Sequence, residues 1–380
     1  MRKSFKKGKE KALALALGLL LVLGTAPAAD VFGGGVWAAG EEGALSPPEV
    51  SARTAVVIEL NTGAVLYEKN MDEKVYPAST TKILTGLLAV ESGDLQRQVK
   101  VSSNAAGKEG SSIYLAAGEL LSMEDLLYGL MLRSGNDAAV AIAEGVDGTV
   151  EAFVESMNRR ALELGAENTH FVNPNGLFDE EHYTTAYDMA LIARAAMSNE
   201  AFRTVAGSRE WTADRETGKY MQFYNKNKVV YEYDGGTGVK IGYTTASGRT
   251  LVASSQRNGM ELICVVMDAP DWFQDSYALM DYVYENYTMQ TVAEQGRILK
   301  AVTLRRGEKE FVYVGAAETA AVPVKRDGSS VVTIEYETGT RVPAPVSRWQ
   351  EAGSLKVFSD GEQMLEAPLC YLEDVERREK

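Results

Sequence analysis

Histidine and cysteine are scarce: the 380 residues hold two of each, His170, His182, Cys264 and Cys370. Two histidines are too few for a multi-histidine metal centre, and a Ser-His-Asp triad would have to use one of them. No cofactor is implied. Two distant cysteines make no disulfide framework, although a bond between them stays open. Cys264, inside LICVVM, reads as an inert thiol on a buried strand. Basic residues are outnumbered 39 to 53, for a formal net charge of −14. That excludes binding of nucleic acid or anionic lipid through bulk charge and leaves open only a local basic site. Internal repeats and low-complexity tracts are missing. The one long apolar run, ALALALGLLLVLG from Ala12 to Gly24, is short for a spanning helix of ~20 residues. It follows the basic head MRKSFKKGKEK and precedes small residues, Ala26-Pro27-Ala28-Ala29. This is the pattern of a secretory signal peptide, with an uncleaved N-terminal anchor as the alternative, so the mature chain is expected outside the cytoplasm. The other end, CYLEDVERREK, is acidic and offers no apolar helical face. Membrane association is left undecided.

What is present suffices for two domains, since 45% of the residues are hydrophobic. TAVVIEL and AVLYEK flank Asn61-Thr62-Gly63 as a hairpin. Pro77-Ala78-Ser79 opens a helical run, TKILTGLLAVES. Ser122 with Asp125, and Thr185 with Asp188, have capping-box spacing before apolar helices. Thr149 to Leu164 reads as a helix stopped by Gly165, and Asn173-Pro174-Asn175-Gly176 as a turn. RTLVASSQ and MELICVVMD form a hairpin around Asn258-Gly259, followed by the helix DWFQDSYALMDYVYENY. From about residue 290, short β-rich runs separated by Gly, Asp and Pro indicate a small β domain. The expected organisation is a signal peptide and linker start in 1–39, a main domain in 40–290 and a β domain in 291–380.

Three short patterns carry chemistry. Ser79-Thr80-Thr81-Lys82 is S-x-x-K at a helix start, where a spacing of three puts both side chains on one face. A serine hydroxyl needs a base, and a lysine of lowered pKa can supply one. Ser134-Gly135-Asn136 breaks two apolar helical segments and can aim a hydroxyl and an amide into a cleft. Lys240-Ile241-Gly242 lies on a strand, where a cation can hold a carboxylate and a glycine admits substrate to the backbone. Each alone is weak. A helix cap followed by a surface lysine, a plain turn and a glycine-rich strand would explain them separately.

S-x-x-K, S-x-N and K-[TS]-G in this order mark the penicillin-binding proteins and serine β-lactamases. The sequence resembles the D-alanyl-D-alanine carboxypeptidases, the low-molecular-weight penicillin-binding proteins. TGAVLYEKNMDEKVYPASTTKILT, EGSSIYLAAGELLSMEDLLYGLMLRSGNDAAVAIAE and HYTTAYDMALIARAAM carry the likeness, which spans roughly residues 50 to 370. The resemblance implies an α+β fold, an antiparallel sheet with helices on both faces, followed by a small all-β domain. It implies Ser79 as acylated nucleophile, Lys82 as its base and Ser134 as proton relay. It further implies Asn136 on the substrate amide and Lys240 on the terminal carboxylate. Gly242, Tyr243 and Thr244 line the substrate, with the N–H groups of Ser79 and Tyr243 as oxyanion hole. The implied partners are peptidoglycan stem peptides, and β-lactams as covalent inhibitors.

Ile241 departs from the pattern, because Thr or Ser is usual there and its hydroxyl bonds the substrate carboxylate. That loss is worth ~1.5–3 kcal/mol unless Thr244 or Thr245 compensates. Asn175 stands where relatives often carry His. Three alternatives remain. A class A β-lactamase needs a deacylating glutamate, and no E-x-x-L-N lies between Asn136 and Lys240. A non-catalytic wall or penicillin binder would explain Ile241 but not the retention of Ser79, Lys82, Ser134, Asn136 and Lys240. An endopeptidase would use the same residues.

Overall fold

The computed structural model describes residues 46–215 and 220–379. The expected signal peptide lies outside the described residues. The described chain divides into two compact units, one from residues 46–297 with 318–330, the other from 298–317 with 331–379. Among the described residues no helix is long and apolar enough to cross a membrane.

The first unit begins with β1 (Thr54–Glu59) and β2 (Val65–Lys69), paired antiparallel as expected. A 3-10 turn, Ala78–Thr81, runs into α1 (Lys82–Glu91). Then come β3 (Gln98–Lys100), β4 (Leu120–Ser122), α2 (Met123–Arg133), α3 (Asn136–Asp147), α4 (Val150–Glu163), α5 (Ala186–Ser198) and α6 (Glu200–Gly207). After β5 (Glu210–Thr212), β6 (Gln222–Tyr224) and α7 (Val229–Glu232), three long strands follow: β7 (Gly236–Thr244), β8 (Gly248–Arg257) and β9 (Met260–Met267). Helix α8 (Trp272–Asn286) closes the series. The expected caps form at Ser122 and Thr185, whose hydroxyls accept the N–H groups of Asp125 and Asp188 at 3.0 Å each, and Thr149 Oγ1 caps α4 in the same way through the Ala152 N–H at 3.1 Å. Asn258 and Gly259, at φ +50° and +79°, make the two-residue turn between β8 and β9.

The sheet order is β2-β1-β9-β8-β7, antiparallel throughout. All eight residues of the central β9 are buried, which is why its sequence is apolar without alternation. Val56 and Ile58 face a large cluster with α1 to α6, while Ala55 and Val57 face a second cluster under α8. Strand β7 is left as a free edge.

The remaining strands are β10 (Tyr287–Ala293), β11 (Ile298–Arg305), β12 (Phe311–Ala316), β13 (Ala320–Lys325), β14 (Val332–Thr338), β15 (Arg341–Pro343), β16 (Glu351–Ser359) and β17 (Glu362–Tyr371). AAVPVKR, read from sequence as part of the terminal β region, forms β13 and pairs with β10 in the first unit. The second unit is a six-stranded sheet, β14-β16-β17-β12-β11-β15, in which only β11 and β15 are parallel. Along β11, Val302 and Leu304 point inward and Thr303 and Arg305 outward.

Candidate active site

Ser79 lies in the 3-10 turn, which its neighbours tie down. Thr80 Oγ1 donates to the Pro77 carbonyl at 2.7 Å and Thr81 Oγ1 to the Ala78 carbonyl at 2.8 Å. Thr250 Oγ1, from β8, donates to the same Pro77 carbonyl at 3.1 Å. The three-residue spacing then sets Lys82 Nζ 3.0 Å from Ser79 Oγ. Lys82 is fully buried, so the alternative of a cap followed by a surface lysine does not apply.

Lys82 Nζ has three partners: it donates to Asn136 Oδ1 at 2.7 Å and to the Asn175 carbonyl, and it shares a hydrogen bond with Ser79 Oγ. Burial lowers its pKa well below the ordinary lysine range, and the Lys240 cation lowers it further, against the pull of Asp137. Lys240, also buried, is pushed down to about 7, first by burial and then by Lys226. Burial thus favours the neutral amine at both lysines, and at Lys82 the Lys240 cation adds to it.

Asn136 begins α3 with both ends of its amide occupied. Oδ1 accepts from Lys82, and Nδ2 donates to the Glu109 carbonyl at 2.6 Å. Its bonds position Lys82, whereas the resemblance implied a bond to substrate. Ser134 ends α2 in a left-handed conformation at φ +63° and is buried, but no hydrogen bond joins it to Lys82 or Lys240 among the described residues. Asp137, not singled out from sequence, accepts from the N–H groups of Ile113 and Leu115, at 3.1 and 3.0 Å, and from Ser112 Oγ at 2.5 Å. It fastens residues 112–115 to the start of α3.

The Asn173–Gly176 turn supplies the third partner of Lys82. Asn173 Oδ1 accepts from the N–H groups of Gly176 and Leu177 at 2.7 and 3.2 Å, folding the turn against Ser79. Gly176 has φ +81°, and a Cβ there would stand 1.9 Å from the Ala78 carbonyl oxygen. The sequence marked the turn but not its place in the site, since a backbone carbonyl has no residue signature.

Strand β7 forms the other wall. A Cβ on Gly242 would lie 2.8 Å from the Ser79 nitrogen and 2.5 Å from Thr250 Oγ1, so only glycine fits. The Lys240 ammonium donates to the Ile241 carbonyl at 2.9 Å. Alternation sends the Ile241 side chain to the opposite face, where it packs against the cluster under α8. Thr244 is not free to compensate, because its Oγ1 closes a turn with Ser247 Oγ at 2.8 Å. Tyr243 is exposed. Because Ile241 faces away from the wall that carries Lys240 and Gly242, Ile241→Thr is expected to leave kcat/KM for a carboxylate-ended peptide nearly unchanged. It should cost about 1 kcal/mol of stability from lost apolar burial. Steady-state kinetics and thermal melts on one preparation check both.

His182 does not complete a triad. Its Nδ1 accepts from the Val172 N–H at 3.1 Å, and its Nε2 meets Thr81 Oγ1 at 2.8 Å. Burial pushes its pKa down to about 4, so it is a neutral prop for the turn. Cys264 and Cys370 are free thiols, and burial drives Cys264 up to about 12. Among the described residues no cluster of His, Cys, Asp and Glu is suited to hold a metal.

A helix-flanked antiparallel sheet with a serine hydroxyl set on a buried lysine defines a serine-type hydrolase. A family model described as D-alanyl-D-alanine carboxypeptidase matches residues 41–271, and one described as penicillin-binding protein 5, C-terminal domain, matches 287–377. The D-alanyl-D-alanine carboxypeptidase DacF of Bacillus subtilis is 35% identical over 335 residues, 86% of each chain. Penicillin binding protein 5 from Haemophilus influenzae superposes with a TM-score of 0.72 at 29% identity, covering 88% of this chain and 100% of its own. The Streptomyces K15 DD-transpeptidase is 30% identical, with a TM-score of 0.59 over 63% of this chain and 98% of its own. The chain belongs to the D-alanyl-D-alanine carboxypeptidase family and is a serine-type D-Ala-D-Ala carboxypeptidase.

Proposed function

We propose that Ser79 is the nucleophile that removes the terminal D-alanine from peptidoglycan stem pentapeptides outside the cytoplasm. The observation that carries this reading is Ser79 Oγ at 3.0 Å from a buried Lys82 Nζ whose pKa is strongly depressed. Neutral Lys82 takes the Ser79 proton as Oγ attacks the carbonyl between the last two D-alanines. The oxyanion meets the N–H groups of Ser79 and Tyr243, where glycine at 242 lets the strand backbone approach. The proton reaches the leaving amine through Ser134, and D-alanine departs. Water then attacks the ester, again giving its proton to Lys82. Lys240, still charged, holds the terminal carboxylate, and Asn136 and the Asn175 carbonyl hold Lys82 in line. A β-lactam would acylate Ser79 by the same attack.

Purified protein incubated with penicillin, digested and examined by mass spectrometry should carry the adduct on the peptide containing Ser79, and should release D-alanine from a D-Ala-D-Ala pentapeptide. An adduct on another residue would sink the assignment. A pH prediction follows from the lysines. kcat/KM reports the free enzyme, so it should fall above about pH 7 for a carboxylate-ended peptide, as Lys240 loses its charge. The falling limb should disappear for an ester substrate lacking that carboxylate. Matching profiles for both substrates would exclude Lys240 as the carboxylate's partner.

A further inference from the structure

The second unit carries a charge pattern at odds with the whole chain. A cavity of about 440 Å³ is lined by Arg305, Arg306, Arg341, Pro343, Ala344 and Arg377. Four arginines line it and no acidic residue does, in a sequence of net charge −14.

Topology makes the cluster. In the parallel pair β11–β15, Thr303 lies opposite Arg341 and Arg305 opposite Pro343, so Arg305 and Arg341 share the solvent face. The Ala344 N–H donates to the Arg305 carbonyl at 3.0 Å, and Arg306 follows at φ +59°. The C-terminal segment is laid alongside: Gly307 bridges Arg377, and the Arg378 N–H donates to the Arg306 carbonyl at 2.8 Å. The backbone is fixed, but none of the four lining guanidinium groups has an ion pair or side-chain hydrogen bond among the described residues. Two carboxylates close in sequence are engaged elsewhere. Glu373 pairs with Lys309, and Asp374 Oδ1 accepts the Arg348 N–H at 2.9 Å.

Like charges gathered on a fixed backbone repel unless an anion offsets them. A guanidinium is a planar fork whose donors match the oxygens of a phosphate. A single carboxylate needs one such fork, whereas this hollow presents four. It is also concave, which suits discrete anionic groups better than the flat surface of a bilayer. We propose that this hollow binds a soluble phosphate-bearing polyanion, one that offers two or more linked phosphate groups at once.

The test is calorimetric titration of the full protein with tripolyphosphate and with a glycerol-phosphate polymer, alongside co-sedimentation with phosphatidylglycerol vesicles. Saturable binding of the phosphate probes that weakens with salt is expected. Arg305→Gln with Arg341→Gln should weaken it at least ~tenfold and leave D-alanine release from a free pentapeptide unchanged. Arg305→Lys with Arg341→Lys keeps the charge but loses the forks, and should also weaken binding. Full binding by the Lys variant would overturn recognition by fork geometry. No binding of either phosphate probe, binding unaltered in the Gln variant, or binding to vesicles alone would each overturn the proposal. Melting temperatures close to that of the parent, expected for exposed side chains, separate lost binding from lost folding.

Discussion

Ser79→Ala and Lys82→Met are each expected to cut acylation by penicillin and release of D-alanine by at least ~10³-fold, and the double variant should be no worse than either alone. Groups that act as one unit give such non-additive losses in other serine hydrolases. Here the unit is visible as a single 3.0 Å contact between Lys82 Nζ and Ser79 Oγ. Without Lys82 the hydroxyl keeps its proton, and without Ser79 the amine has nothing to activate. Methionine preserves the length and burial of the Lys82 side chain, so the loss reports chemistry more than packing. Stopped-flow measurement with a fluorescent penicillin on the four proteins decides it. Losses that multiply would mean that Lys82 and Ser79 act independently, and a different base would then be required.

Gly176→Ala should be the most damaging change that removes no functional group. The residue sits at φ +81°, where a side chain costs about 1–2 kcal/mol, and the new Cβ would stand 1.9 Å from the Ala78 carbonyl oxygen. Overpacking adds about 1–3 kcal/mol, and the strain falls on the turn that carries Ser79. The protein is expected to lose at least ~3 kcal/mol, or to keep its fold with Ser79 displaced and acylation reduced ~100-fold. Gly148→Ala is the control, because its φ is similar, +82°, with nothing within 4 Å of the added carbon. It should cost only the backbone strain. Equal melting temperatures and equal labelling rates in the two variants would refute the steric argument.

Much of this architecture was legible because it rests on local rules. Caps, the Asn-Gly hairpin and the Ser79–Lys82 spacing are short-range features, and the structure realises each of them. Alternation on β7 was legible too. Lys240 and Gly242, two apart, had to face one way and Ile241 the other, yet reading the triplet as a motif hid that. What could not be read depends on distant segments meeting. The Asn175 carbonyl reaches Lys82 from far along the chain, and any residue could have supplied it. Asn136 had an obvious amide but no sign that Lys82 and Glu109 would consume both ends. β13 resembles the terminal strands in composition and differs only in its partner, β10.

The way Lys82 is held has a consequence for how the protein comes into being. Its three partners belong to Ser79, Asn136 and Asn175, and the charge that helps depress it sits on Lys240. In an unfolded chain these groups are strangers, Lys82 is an ordinary protonated amine and Ser79 is no more reactive than an alcohol in water. Reactivity is thus withheld until the last of these segments has docked. Folding itself does what cleavage does for a zymogen, and the appearance of penicillin reactivity marks the moment at which these segments have met.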